Sequence, residues 1–403
     1  MMSNLIHSEV GYPALFARIA AVAMALLGTG SLIAQERIYG PFGSIDTRTI
    51  YLEPPSRLID KIVDEKYDLV RTNGITWTFQ KSLSEIRELF HLCGVSPIAT
   101  EVITQPELAM FHSSRLVSLR PSVRFIQSLT PTTRMMLYQH IGDDSLDNHY
   151  RNPMSLSNKG IENLVNSPSL SPDLKKSITN LFYPMESGKW WLSDINVLYL
   201  ICNNRSEATL VFQLLKIVPS LHGWFDWSTL SSDRYEGILN YWNAGGRNAG
   251  AANLLKSALE SPAITRISLN QLMPPHCREL LHTYPSFEES RGSDWPDCFS
   301  TSFTFFEKEF SYRAFDGIRE WADERYQEAT FPLQLGDIIM ITDDSGEWTH
   351  ACNHVAGDIV FTKNGVSSTT PWVFARVQDV LDQYQKVGGI SVSYMRLKPE
   401  FRK

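Results

Sequence analysis

Trp348-Thr349-His350-Ala351-Cys352-Asn353-His354-Val355-Ala356-Gly357-Asp358 is the stretch on which the reading of the fold turns. Ala356-Gly357-Asp358 is turn chemistry, and the run after it, Ile359 to Lys363, is rich in β-branched and aromatic residues. The two arms, His350 to Val355 and Ile359 to Lys363, therefore predict an antiparallel hairpin. Alternation puts His350, Cys352 and His354 on one face of the first arm and Asn353 on the other. A turn at that glycine sets His350 opposite Asn364, and a slip in register would bring Thr362 or Lys363 there instead. His354 lies close to the hairpin tip, where solvent competes for its hydrogen bonds.

Outward from the hairpin, Leu335-Gly336-Asp337-Ile338-Ile339-Met340-Ile341-Thr342 predicts a strand that ends in the turn Asp343-Asp344-Ser345-Gly346. Downstream, Trp372 to Tyr384 is expected to be helix and Ile390 to Leu397 a last strand. Upstream, a loop carrying Gly292 and Pro296 leads to Cys298. Helix is expected from there to about Tyr326, broken near Phe315-Asp316-Gly317. A helix followed by an antiparallel sheet is an α+β arrangement.

The preceding region, 35–285, reads as an irregular all-helical domain after a short-stranded or irregular start that ends at Glu53-Pro54-Pro55. Ser82 and Glu85 stand in capping-box relation before Ile86, Leu89, Phe90 and Cys93, with Gly94 as the stop. Thr130-Pro131 and Ser171-Pro172 each place a cap before a first-turn proline. Further helices are expected near 190–202, 207–217, 232–243, 250–260 and 276–283. No fixed-period repeat supports a solenoid. The composition changes after Tyr284-Pro285, which predicts a domain boundary there and a second domain over 286–403.

At the N-terminus, Arg18 precedes the apolar run Ile19 to Leu27, and Gly28-Thr29-Gly30 or Ala34 would suit a signal peptidase. Residues 1–34 thus read as a secretory signal peptide, with an N-terminal anchor as the second reading. The protein is expected to be exported, periplasmic or secreted. No other stretch approaches membrane length. The 403 residues are 43% apolar, which excludes a disordered chain, and a net charge of −7 without Lys/Arg clusters argues against nucleic acid. Five cysteines at irregular spacing do not make a disulfide framework.

The chemistry implied by a thiol opening a helix and a histidine on a later strand is nucleophilic. Unpaired N–H groups at a helix start favour a thiolate at Cys298, and a histidine beside it can take and return the proton. His350 is the better base because Asn364 can orient its other nitrogen. No cofactor is required. These residues, with Asp297-Cys298 opening a helix, Gly336-Asp337 at a strand start and His350 leading the next strand, resemble the catalytic core of NlpC-type cysteine peptidases. That family belongs to the papain-like superfamily, and many members cleave peptide stems of bacterial peptidoglycan. The resemblance covers roughly 290–400. It implies Cys298 as nucleophile, His350 as base, Asn364 as the polar third residue and a cell-wall peptide as substrate. Phe299-Ser300 stands where the family has Ser-Gly after the nucleophile, and Ala351-Cys352-Asn353-His354 departs from the usual residues after the histidine.

Other readings stay open. Cys298 among Phe299, Phe303 and Phe305 also suits a small buried hydrophobe in an inactive domain, leaving a secreted binding or scaffold protein. Cys298, His350, Cys352 and His354 could ligate zinc, although same-face strand positions lie nearly 7 Å apart. Asp143-Asp144-Ser145-Leu146-Asp147-Asn148 lacks the glycine and glutamate of a calcium loop. Gly245-Gly246-Arg247-Asn248-Ala249-Gly250 lacks a phosphate-loop lysine. Trp190, Trp191, Trp224, Trp227 and Trp242 fit a core better than a sugar platform.

Overall fold

The computed structural model describes residues 36–105, 109–113, 116–144, 150, 153–184, 189–228, 230–261, 263–286, 296–306, 317–385 and 389–402. The apolar run at 19–27 lies outside them, as do Gly292, Phe315-Asp316 and residues 145–148 of the acidic run.

Local signals build the first core as expected. Ser82 accepts from the Glu85 N–H while the Glu85 side chain takes the Ser82 N–H, and the helix Leu83–Leu92 then buries Ile86, Leu89 and Phe90. Gly94, at φ +79°, follows it. Ser171 caps Pro172–Thr179 through the Leu174 N–H. Helices at Ser56–Asn73, Ile195–Ile201 and Arg205–Leu215 close this core around Trp77, Phe90, Leu137, Tyr138, Leu164 and Leu198.

The region 35–285 is not all helical. It carries two three-stranded antiparallel ribbons, one with Trp77–Phe79, Leu116–Leu119 and Ala109–Ser113 and the other with Met154–Leu156, Trp190–Leu192 and Tyr183–Pro184. Strands of two to five residues are too short to display a period, which is why pattern reading misses them. A larger four-stranded sheet runs in the order Glu36–Gly40, Gly43–Leu52, Val218–Asp226, Arg266–Ser268. Within it Gly223 packs so tightly on Leu269 that a Cβ would lie 2.9 Å from the leucine. Of the tryptophans, Trp242 and Trp227 are buried, and Trp224 lies half-buried beneath Arg48 and Arg266.

The C-terminal sheet has six antiparallel strands in the order Tyr326–Glu328, Ile390–Leu397, Ile338–Asp343, Trp348–Ala356, Ile359–Lys363, Trp372–Arg376. Trp372–Arg376, expected as the start of a helix, is the outer strand, since its Trp-Val-Phe alternation pairs residue by residue with Ile359–Lys363. The helix is confined to Val377–Tyr384. One face packs Ile338, Met340 and Ala351 under Cys298, Phe299 and Phe303. The other packs Ile339, Ile341, Cys352 and Val360 under Val380.

Apolar packing is continuous across the composition change at 285. Phe42, Ile45, Leu221, Phe225, Trp242 and Leu269 share one core with Phe305, Leu335, Val355, Ile359, Phe361 and Phe374. Each such side chain contributes roughly 1.5–3 kcal/mol on burial, so this shared core is a principal source of stability for both sheets. Arg376 Nη2 also donates to Thr47 Oγ1 at 2.7 Å. Among the described residues no helix is long and apolar enough to cross a membrane.

Candidate functional site

The hairpin has the expected register, with Asn353 facing Phe361 and His354 facing Val360. Its ladder stops there. Beyond Asn353/Phe361 the first arm stays paired with Ile338–Asp343 and the second with Trp372–Arg376, so the two arms part like a fork. The N–H and C=O of one strand residue point to the same neighbour, alternating along the chain. His354 accepts from the Gly336 N–H and donates to Asp337 O, both on the Ile338–Asp343 side. By alternation the Ala351 N–H points the opposite way, into the fork.

Cys298 fills that opening. It is the first residue of the helix Cys298–Phe303, whose cap is Asp297: the carboxylate accepts from the Ser300 N–H at 2.7 Å and Ser300 Oγ accepts from the Asp297 N–H at 2.9 Å. The Ala351 N–H and the thiol's own backbone N–H point at the sulfur and favour the thiolate, as does the nearby Lys363 charge. Burial works against them, with the Asp297 charge, and pushes the thiol up to about 12. Ala351 is joined by its peptide nitrogen to His350, so the thiol sits beside the backbone of the predicted base. On the helix side the site is fixed by Trp372 Nε1, which donates to Thr301 Oγ1 at 3.0 Å, and by Asn353 Nδ2, which donates to Ser302 O at 2.9 Å. Gly336 opens the adjoining strand at φ +84°, where a Cβ would meet the Phe306 ring at 2.2 Å.

The His350 ring lies on the other face, stacked on Tyr384 with centroids 4.1 Å apart and planes at 18°. Its Nε2 is 2.9 Å from Thr362 Oγ1. The hydroxyl proton of Thr362 goes to Asn364 Oδ1 at 3.3 Å, and Asn364 Nδ2 donates to Gln383 Oε1 at 3.1 Å. A hydroxyl has one proton, so Thr362 must accept from His350, and Nε2 carries the imidazole hydrogen. Nδ1 is then the lone-pair nitrogen. It is buried without a hydrogen-bond partner among the described residues, and burial pulls the imidazole down to about 3.

Asn364, expected against His350, is therefore one link further out, and Thr362 touches the ring. The reason is the fork: once the arms diverge, the residue directly opposite recedes and its same-face neighbour two positions back comes within reach. Cys298 and His350 are brought to the two sides of one peptide unit without a hydrogen bond between thiol and imidazole. His354, expected near solvent, is buried, with Nδ1 3.1 Å from Gln334 O and Nε2 3.1 Å from Gly357 O. It lines a cavity of about 190 Å³ with Pro41, Phe42, Phe331, Pro332, Leu333 and Gly357. With His354 held between carbonyls, Cys352 against Ile339 O and His350 on Thr362, the four residues weighed as zinc ligands do not converge. Among the described residues no three His, Cys, Asp or Glu side chains could hold a metal ion. All five cysteines are free and buried.

Sequence reasoning singled out neither Tyr384 nor Gln383. Lys363 it considered only as a register alternative to Asn364. A lysine inside an otherwise apolar strand was the available signal. Compared with protein-family models, curated proteins and solved structures, the chain matches none.

Proposed function

We propose that the chain is an exported thiol hydrolase that cleaves an amide bond in a cell-envelope peptide of the peptidoglycan type. Cys298 attacks the amide carbonyl; once movement of the fork brings ring and thiol together, His350 Nδ1 takes the thiol proton and returns it to the leaving amine, water then cleaves the thioester to release the carboxylic acid and restore the thiol, and the relay Thr362, Asn364 and Gln383 holds the imidazole. Backbone N–H groups at the start of Cys298–Phe303, that of Cys298 among them, would receive the oxyanion. The observation that carries this reading is the relay itself: it leaves one buried, unprotonated and unpartnered ring nitrogen beside the peptide that contacts the thiol. The substrate class rests on the resemblance to NlpC-type peptidases, and export rests on residues 18–34. The papain-like character of the C-terminal sheet belongs to the same proposal.

A second reading, a binding or scaffold protein with a silent site, is favoured by one observation. Both groups are buried and neutral as they stand, Cys298 near 12 and His350 near 3. Incubation of the full chain with isolated bacterial peptidoglycan, with released peptides followed by mass spectrometry, separates the two. Release that is lost in Cys298→Ala and falls by roughly 10²–10⁴ in His350→Ala supports hydrolysis. No release, with His350→Ala leaving the alkylation rate of Cys298 unchanged, supports the silent site.

A further inference from the structure

We propose that Lys363 is the electrostatic partner of Cys298, a positioning residue that supplies the positive charge against which the thiolate forms. The inference rests on the reading of Cys298 as nucleophile. Lys363 ends the second arm of the fork and is completely buried. The hairpin register, continued past Asn353/Phe361, brings it level with Ala351, whose N–H meets the sulfur. Alternation puts its side chain on the face of Phe361 and Ala351, which is the face the Cys298 helix covers. Its Nζ donates to Gly365 O at 2.7 Å and Ser367 O at 3.1 Å and stands 5.9 Å from the Trp372 ring centroid. Two of three ammonium donors are thus committed to neutral carbonyls, and among the described residues no carboxylate ion-pairs with it.

A buried ammonium without a paired carboxylate is costly, and the groups that relieve it here are those of the site. The acidic groups acting on Lys363 are Cys298 and Asp297, both of which raise its pKa, while desolvation brings it to about 8. The coupling is reciprocal, since the Lys363 charge lowers the Cys298 thiol. Among the described residues the other titratable groups that act on Cys298 are Cys352 and Tyr384, and neither offers a positive charge. His350 at about 3 carries no proton near neutral pH. Lys363 is accordingly the standing cation of the fork, and His350 the mobile proton acceptor.

The test reads the thiol rather than turnover. The rate of Cys298 alkylation at pH 7, where Lys363 is protonated, with Cys298→Ser as the blank, reads the thiolate population. Lys363→Met should slow that alkylation about tenfold or more, the equivalent of one unit in the thiol pKa, and Lys363→Arg should restore it. In the near-isosteric Cys298→Ser chain, the Lys363 Nζ titration followed by NMR should fall by a similar amount, and this arm stands even where Lys363→Met does not fold. An alkylation rate unmoved by Lys363→Met, or a lysine titration unmoved by Cys298→Ser, overturns the inference. Intact coupling with no peptide release from peptidoglycan would instead remove the hydrolase reading and leave the Lys363 to Cys298 pairing in place.

Discussion

His350 makes a quantitative prediction about acid stability. Its imidazole is fully buried, with a folded pKa of about 3 against an ordinary 6.5. A depressed histidine contributes stability that is complete above 6.5 and drains away as pH falls from there toward the folded value, because the unfolded chain binds the proton first. The slope is about 1.4 kcal/mol per pH unit, so this one group removes about 2 kcal/mol between pH 7 and pH 5 and about 5 kcal/mol below pH 3. His350→Gln keeps an amide able to reach Thr362 and cannot titrate. Urea unfolding of both chains at half-unit steps from pH 7.5 to 4.5 isolates the term, since every other titrating group cancels in the difference. The gap between them should shift by about 2 kcal/mol in favour of the glutamine chain by pH 5. A difference that stays flat across the interval would refute the claim that the imidazole is sealed beneath Tyr384. Charging His350 in this closed arrangement at pH 7 costs about 5 kcal/mol, so under the proposed hydrolase reading turnover would require the cover over the ring to move.

Two further outcomes follow from other buried groups. Asp194, held in the first core with the Tyr138 hydroxyl on its Oδ2, is raised by burial to about 6. A raised carboxyl contributes stability below about 4 that is lost as pH climbs through 6, so Asp194→Asn should gain up to about 3 kcal/mol at pH 8 and only about 0.5 kcal/mol at pH 4 in urea melts. Phe361→Ala removes a ring from the core that joins the two larger sheets, and a loss of about 3–5 kcal/mol is expected. Hydrogen exchange should then rise in Gly43–Leu52 and in Ile359–Lys363 together, and a change confined to one sheet would contradict the shared core.

The hairpin was legible because two local rules agreed, turn chemistry at Gly357 and alternation on either side, and its register follows from them. The capping box at Ser82 and the proline-led helix at Pro172 were legible for the same reason. Cys298 at a helix start could be read from Asp297, whose carboxylate takes the Ser300 N–H. The fork could not. Where two strands part is decided by what wedges between them, here the Cys298 helix, and no period in either strand records it. That is why Asn364 was expected at the imidazole and Thr362 is found there. The Trp372–Arg376 strand reads as helix in sequence because an apolar run of four residues, Trp372 to Ala375, has no period long enough to separate the two. The four-stranded sheet escaped notice because its strands are drawn from 36–52, 218–226 and 266–268, and sequence windows see only neighbours.

The shared core also sets an order of events during synthesis. The strand Gly43–Leu52 leaves the ribosome early, yet some of the side chains that bury Phe42 and Ile45 come from beyond residue 330. About two hundred and eighty residues must be made before that surface is covered, a long loop to close and a long exposure of apolar strand. The first core, drawn from residues 59–215 alone, can fold in the meantime. Nascent chains arrested before residue 330 should therefore bind holding chaperones through the segment at 36–52, and cutting the chain at 285 should yield an aggregating fragment rather than two working parts.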